Sequence, residues 1–115
     1  MLVKLKITNW LNKQDFQKIL GSTEPKMVLL AAKWCGYCGK FMAIVNDYDS
    51  SVELALIDVD DPDESLWEEY KIRLVPTIIV FSAGKALFRR DGKPSIGLQQ
   101  LDLQEALAVL RQNAR

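Results

Sequence analysis

Met27-Val28-Leu29-Leu30-Ala31-Ala32-Lys33-Trp34-Cys35-Gly36-Tyr37-Cys38-Gly39-Lys40-Phe41-Met42 carries the strongest structural signal in the chain. It opens on an apolar run bounded upstream by Pro25, the pattern of a strand covered on both faces and therefore central in its sheet. It closes on the start of a helix-like segment, Gly36 to about Tyr48, in which Phe41, Met42, Ile44, Val45 and Tyr48 recur at helical spacing and Asn46 to Ser51 supply a polar stop. Between the two stand the chain's only cysteines, Cys35 and Cys38. Two cysteines dropped at random into a chain of this size would fall at this spacing about one time in sixty. A dithiol at a strand-to-helix junction, with Cys35 at the mouth of the helix, reads as a redox pair.

Working outward, residues 2 to 7 read as a short first strand, and Asn12 with Asp15 offers a helix start for a segment ending near Gly21, with Phe16, Ile19 and Leu20 facing inward. Glu53 to Val59 reads as another buried strand. Asp61-Pro62-Asp63-Glu64 predicts a helix start, with a capping carboxylate, a proline in the first turn and acids at the positive end of the dipole, the helix fading by Ile72. Thr77 to Ser82 is apolar and β-branched, Ala83-Gly84 is a turn, and Ala86 to Arg90 makes a hairpin partner. After a break at Gly92-Lys93-Pro94, Asp102 with Glu105 predicts the start of a final helix carrying Leu103, Ala106, Leu107 and Leu110 on one stripe. The order implies an α/β fold: a central mixed sheet of about five strands flanked by about four helices, in a single domain spanning 1–115.

Composition bounds the function. The chain carries 15 basic and 15 acidic side chains over 115 residues, so no net field draws it to nucleic acid or an anionic membrane. Met1 to Ile7 alternates apolar and basic residues where a secretory signal has a continuous apolar stretch, and no run approaches the roughly 18 residues of a membrane span. The expected compartment is the cytoplasm, where a structural disulfide is uncommon and a lone Cys-x-x-Cys is catalytic, redox-sensing or metal-binding. Metal is disfavoured by counting: a structural zinc takes four ligands, and this chain has no histidine and no further cysteine. The acids Asp58, Asp60, Asp61, Asp63 and Glu64 superficially suggest calcium, but Pro62 interrupts them and the glycine and distal glutamate of a calcium loop are missing, leaving a solvated strand end and helix cap.

The Trp34-Cys35-Gly36-Tyr37-Cys38 run after a buried strand, Val75-Pro76-Thr77 before the hairpin, the Ala83-Gly84-Lys85 turn and the terminal amphipathic helix together resemble the thioredoxin family over nearly the whole chain. The resemblance implies a sheet whose first three strands are parallel and whose last two run antiparallel. It implies that Pro76 is cis beside the cysteines, that Val75 offers a backbone edge to a substrate strand, and that Thr77 and Gly92 belong to the same docking region. It places Trp34, Gly36 and Tyr37 in the active-site loop, with the ring of Trp34 on the docking surface.

Cysteine attacks as thiolate, and the unpaired amides and dipole of a helix N-terminus stabilise that anion. Cys35 is then the nucleophile. Two intervening residues let Cys38 reach it within a turn, so Cys38 resolves the mixed disulfide. Lys33 and Lys40 either assist the thiolate or belong to a solvated face. No organic cofactor and no metal are required beyond the redox-active Cys35–Cys38 pair.

Departures from the family pattern bear on mechanism. Leu29 and Leu56 stand where the family carries a buried aspartate and a neighbouring lysine, implying an apolar floor beneath the dithiol and no dedicated carboxylate base for Cys38. Losing both together avoids a lone buried charge. Tyr37 stands where the family commonly has proline, which frees an extra amide and implies a less reducing pair. The function expected is thiol-disulfide exchange with protein disulfides, in the manner of a protein disulfide reductase in electron transport and cell redox homeostasis. A disulfide reductase would be the electron donor, and the chain would act as a monomer. A glutaredoxin-like reductase using glutathione and a non-catalytic binding or adaptor module on the same fold are the alternatives.

Overall fold

The computed structural model describes residues 6–48 and 53–114. The expectations for residues 2–5 as strand and for 49–51 as part of a polar stop lie outside these. The order is β1 (Lys6–Ile7), α1 (Lys13–Leu20), β2 (Lys26–Ala31), α2 (Gly36–Asn46), β3 (Glu53–Asp58), α3 (Leu66–Glu69), β4 (Thr77–Ser82), β5 (Lys85–Asp91) and α4 (Gln100–Asn113).

The apolar run at 27–32 does become the middle of the sheet, whose strand order is β1-β3-β2-β4-β5. β1, β3 and β2 are mutually parallel; β4 runs antiparallel to β2, and β5 antiparallel to β4. Alternation then divides the core. Met27, Leu29 and Ala31 join Leu54, Leu56, Ile78 and Val80 under α2 and α4, whereas Val28 and Leu30 join Ala55, Ile57, Ile79 and Phe81 on the other face, with Phe16 and Leu66. Both faces of β2 are buried, so nothing in it needs to be polar.

α1 begins as its sequence predicts: Asn12 Oδ1 accepts the Asp15 N–H at 2.9 Å and Asp15 Oδ2 accepts the Asn12 N–H at 3.0 Å. Phe16 is buried edge-on to Tyr70 and Phe81, at centroid separations of 5.4 and 5.5 Å.

The third and fourth helices depart from expectation at their starts. Asp61 does not cap a helix; its carboxylate accepts the Asp63 N–H at 2.9 Å and its carbonyl the Glu64 N–H at 3.0 Å, closing a local turn. That turn uses up the cap, and α3 keeps only the four residues Leu66–Glu69. α4 starts at Gln100, ahead of Asp102, because Asp102 lies inside the first turn and accepts the Gln99 N–H at 2.7 Å. Glu105 takes no part in that cap. Its carboxylate lies 3.4 Å from Arg90 of β5, which also holds Asp102 at 2.7 Å. The expected stripe of Leu103, Ala106, Leu107 and Leu110 is buried.

Candidate functional site

The polypeptide leaves β2 at Ala32 and turns into α2 through Lys33, Trp34 and Cys35. The loop after β3 holds this turn: Asp60 Oδ1 accepts the Lys33 N–H at 2.6 Å, and the Asp60 carbonyl accepts the Trp34 indole N–H at 2.9 Å. Cys35 is the N-cap of α2, with extended backbone (φ −93°, ψ 113°), so its side chain folds back over the first turn. Its Sγ accepts the Cys38 N–H at 3.1 Å and lies 3.4 Å from the Val75 carbonyl, toward which the thiol donates. The Cys38 amide, in the first turn of α2, thus points at the Cys35 sulfur.

The two sulfurs occupy different environments. Cys35 is half-buried, whereas Cys38 is buried with no exposed surface. Burial pushes the Cys38 thiol far up from its ordinary value; the hydrogen bond with Cys35 adds to this, the Ala32 backbone opposes it, and the Asp60 charge adds a little more. Beneath lies an apolar floor. Leu29 and Leu56 are register partners on β2 and β3, 0% and 3% exposed, in one cluster with Cys38. Neither carboxylate nor ammonium stands where the sequence put leucines.

Val75 and Pro76 are joined by a cis peptide bond, as the resemblance implied. Val75 is half-buried and presents its carbonyl to Cys35, but Pro76, Thr77 and Gly92 are buried. Thr77 Oγ1 donates to the Leu74 carbonyl at 2.9 Å, so Thr77 holds the turn from beneath and does not line the surface. Gly92 donates its N–H to the Pro76 carbonyl at 2.9 Å, and a Cβ there would sit 2.9 Å from the same oxygen. Gly92 therefore supports Pro76 by close approach of backbone to backbone.

Trp34 is 63% exposed and its ring lies parallel to that of Trp67, with centroids 6.4 Å apart and planes at 6°. The rings wall a groove of about 430 Å³ that also touches Cys35, Gly36, Tyr37, Arg73, Leu74 and Val75. On the opposite flank, Tyr37 packs on Gly97, a residue at φ 73° whose added Cβ would come within 2.9 Å of the Tyr37 Cβ. Lys40 stands 5.3 Å over the Tyr37 ring. Lys33 is engaged elsewhere, 3.4 Å from Asp58, 3.6 Å from Asp60 and 5.3 Å over Trp10. Burial raises the Asp58 carboxyl, but the Asp60 N–H and Lys33 outweigh it and leave that carboxyl below its ordinary range.

Trp67, Arg73, Leu74, Gly97 and the Asp60 backbone were not singled out by sequence reasoning. A glycine closing the segment that begins at Gly92 was an available signal for Gly97; Trp67 had none beyond being a large ring in an acidic stretch. Among the described residues no group of three or more His, Cys, Asp or Glu side chains is arranged to hold a metal ion.

A family model described as Thioredoxin matches residues 7–105. The chain is 33% identical over 73 residues to a thioredoxin of Pyropia yezoensis, covering 60% of this chain and 67% of that protein. It is 32% identical over 80 residues to a protein disulfide isomerase-like protein of Oryza sativa, covering 65% of this chain but only 18% of that much longer protein. Among solved structures, the short form of spinach chloroplast thioredoxin f superposes with a TM-score of 0.70 at 23% identity, covering 96% of this chain and 97% of that one.

Proposed function

The chain belongs to the thioredoxin family, a family of thiol-disulfide oxidoreductases, and on that footing we propose the roles of its residues in disulfide exchange. The Cys35 thiolate attacks a sulfur of a substrate disulfide, forming a Cys35–substrate mixed disulfide and releasing the other substrate sulfur as thiolate. Cys38, deprotonated, then attacks the Cys35 sulfur; the Cys35–Cys38 disulfide forms and the second substrate sulfur leaves as thiolate. Two electrons have passed to the substrate. A disulfide reductase returns the pair to the dithiol, and no bound organic cofactor or metal takes part.

The observation that carries this reading is the asymmetry of the pair. One sulfur is accessible and receives a helix N-terminal amide, and the other is shut beneath it, its thiol pushed up from its ordinary pKa by burial. Such a pair attacks from Cys35 and resolves from Cys38. With leucines at 29 and 56, the Cys38 proton leaves to solvent or to the departing thiolate. Trp34, Gly36, Tyr37 and the Val75 edge receive the substrate, while Pro76, Thr77 and Gly92 hold that edge in place. The reading takes the protein as a monomer working in a reducing compartment, the cytoplasm.

The test is insulin reduction driven by dithiothreitol, with wild type and Cys35→Ser. A cysteine-dependent rate supports the assignment. No such rate would favour a binding module with an idle dithiol, and turnover specific to glutathione would favour a glutaredoxin-like enzyme.

A further inference from the structure

We propose that Trp67 and Arg73 select the substrate: a protein disulfide whose cysteine is flanked by an aromatic or large aliphatic residue and by an acidic one. This rests on disulfide exchange at Cys35 and specifies what that site prefers. The occupant is an extended partner segment with that side-chain chemistry.

Thiol exchange at Cys35 needs no second indole, yet Trp67 is held in place beside it. Its N–H is shared between the Val59 carbonyl at 3.2 Å and the Asp61 carbonyl at 3.1 Å, which fixes the ring and lets it support the exposed Trp34 face at 6.4 Å. The wall so formed is wide, apolar and already ordered, so a partner side chain laid along it loses entropy only on its own side. Leu74, 39% exposed, continues the apolar surface across the groove. A single exposed hydrophobic residue asks for no explanation, but Trp34, Trp67, Leu74, Tyr37 and Val75 lining one groove beside a reactive sulfur do.

Charge gives the groove a direction. Arg73 lines it, is exposed, and forms no ion pair among the described residues. On the other side of Trp67 a second depression is lined by Asp63, Glu64 and Glu68. A carboxylate on the incoming segment therefore finds a free guanidinium next to the apolar wall, and an ammonium there meets like charge. Aromatic packing of this kind shifts a rate constant about two- to tenfold. An exposed ion pair shifts it about two- to fivefold and is screened by salt.

The experiment measures single-turnover rates of the reduced protein with matched peptide disulfides that carry Phe and Asp, Gly and Asp, or Phe and Lys beside the cysteine, and with 2-hydroxyethyl disulfide as reference. Wild type is expected to prefer Phe over Gly and Asp over Lys by the factors above, with the second preference lost in high salt. Trp67→Ala should bring the Phe/Gly ratio toward unity, and Arg73→Glu should invert the Asp/Lys ratio. Ratios within one variant are independent of how much of it folds, and Arg73 is an exposed position that tests the proposal separately. Equal rates for all peptides with wild type, or preferences that persist in both variants, would overturn the proposal while leaving exchange intact. Reduction of none of the disulfides, the reference included, would instead remove the exchange reading itself. A dimer that shields Cys35 from alkylation would overturn the proposal too, because a second copy would then fill the groove.

Discussion

Leu29→Asp places a carboxyl at a position with no exposed surface, opposite Leu56 in the sheet and in the same cluster as Cys38. Exchanging a fully buried leucine for a smaller polar group costs about 3 kcal/mol even while the carboxyl is neutral. Ionisation adds more. A carboxyl buried without a partner has its folded-state pKa raised by about 3 units above an unfolded value of about 3.9. Since the folded value is the higher one, the unfolded chain releases its proton first, and stability falls as pH rises between the two at about 1.4 kcal/mol per unit. The variant should thus lose about 3 kcal/mol at pH 4 and about 7 kcal/mol at pH 7, comparable with the whole stability of an ordinary domain. Leu29→Asn, which does not titrate, should lose about 3 kcal/mol at both. Urea unfolding of the reduced proteins followed by tryptophan fluorescence measures this, and adding Leu56→Lys to Leu29→Asp should recover part of the loss at neutral pH. Parallel pH profiles for the Asp and Asn variants would mean that water reaches the floor and that Leu29 does not sit in an apolar environment.

Gly97→Ala forces a Cβ to within 2.9 Å of the Tyr37 Cβ at a φ of 73°, so it should cost about 2–4 kcal/mol; Tyr37→Gly, which removes that Cβ and the ring behind it, should relieve part of the cost, giving a coupling near 1 kcal/mol or more in a double-mutant cycle of thermal unfolding. Additive effects would contradict the contact. Because burial drives the Cys38 thiol upward and Leu29 and Leu56 pack in its cluster, the rate of mixed-disulfide resolution should climb about tenfold per pH unit from pH 6 to 9 with no inflection in the carboxylate range. Stopped-flow measurement on a preformed adduct checks this; a plateau above an acidic inflection would point to a dedicated base. With Tyr37 in place of proline, equilibration with glutathione should return a potential above about −270 mV, and a value at or below it would contradict the expectation.

What was legible in the sequence was whatever local chemistry decides. The apolar run at 27–32 and the cysteines after it place a strand and a helix mouth with no help from the rest of the chain, and Asn12 with Asp15 forms its capping box from residues three apart. The starts of α3 and α4 were not, because each involves a choice between partners. Asp61 can cap a helix or close a turn, and Trp67 ties down the turn through the Val59 and Asp61 carbonyls. Glu105 can serve α4 or reach across to Arg90 on β5, fifteen residues away. The groove depends on apposition at longer range still: α3 brings Trp67 to Trp34, and the loop after β5 brings Gly97 to Tyr37. The cis bond between Val75 and Pro76 follows the family pattern, but the burial of Thr77 and Gly92, which makes them supports, depends on how β4 and β5 pack.

The most direct test of the account is to alkylate the reduced protein with limiting iodoacetamide at neutral pH and to map the two cysteines by mass. The geometry predicts that Cys35 reacts roughly tenfold or more faster than Cys38. Equal rates, or earlier labelling of Cys38, would contradict the assignment of one accessible, amide-supported sulfur and one held in reserve.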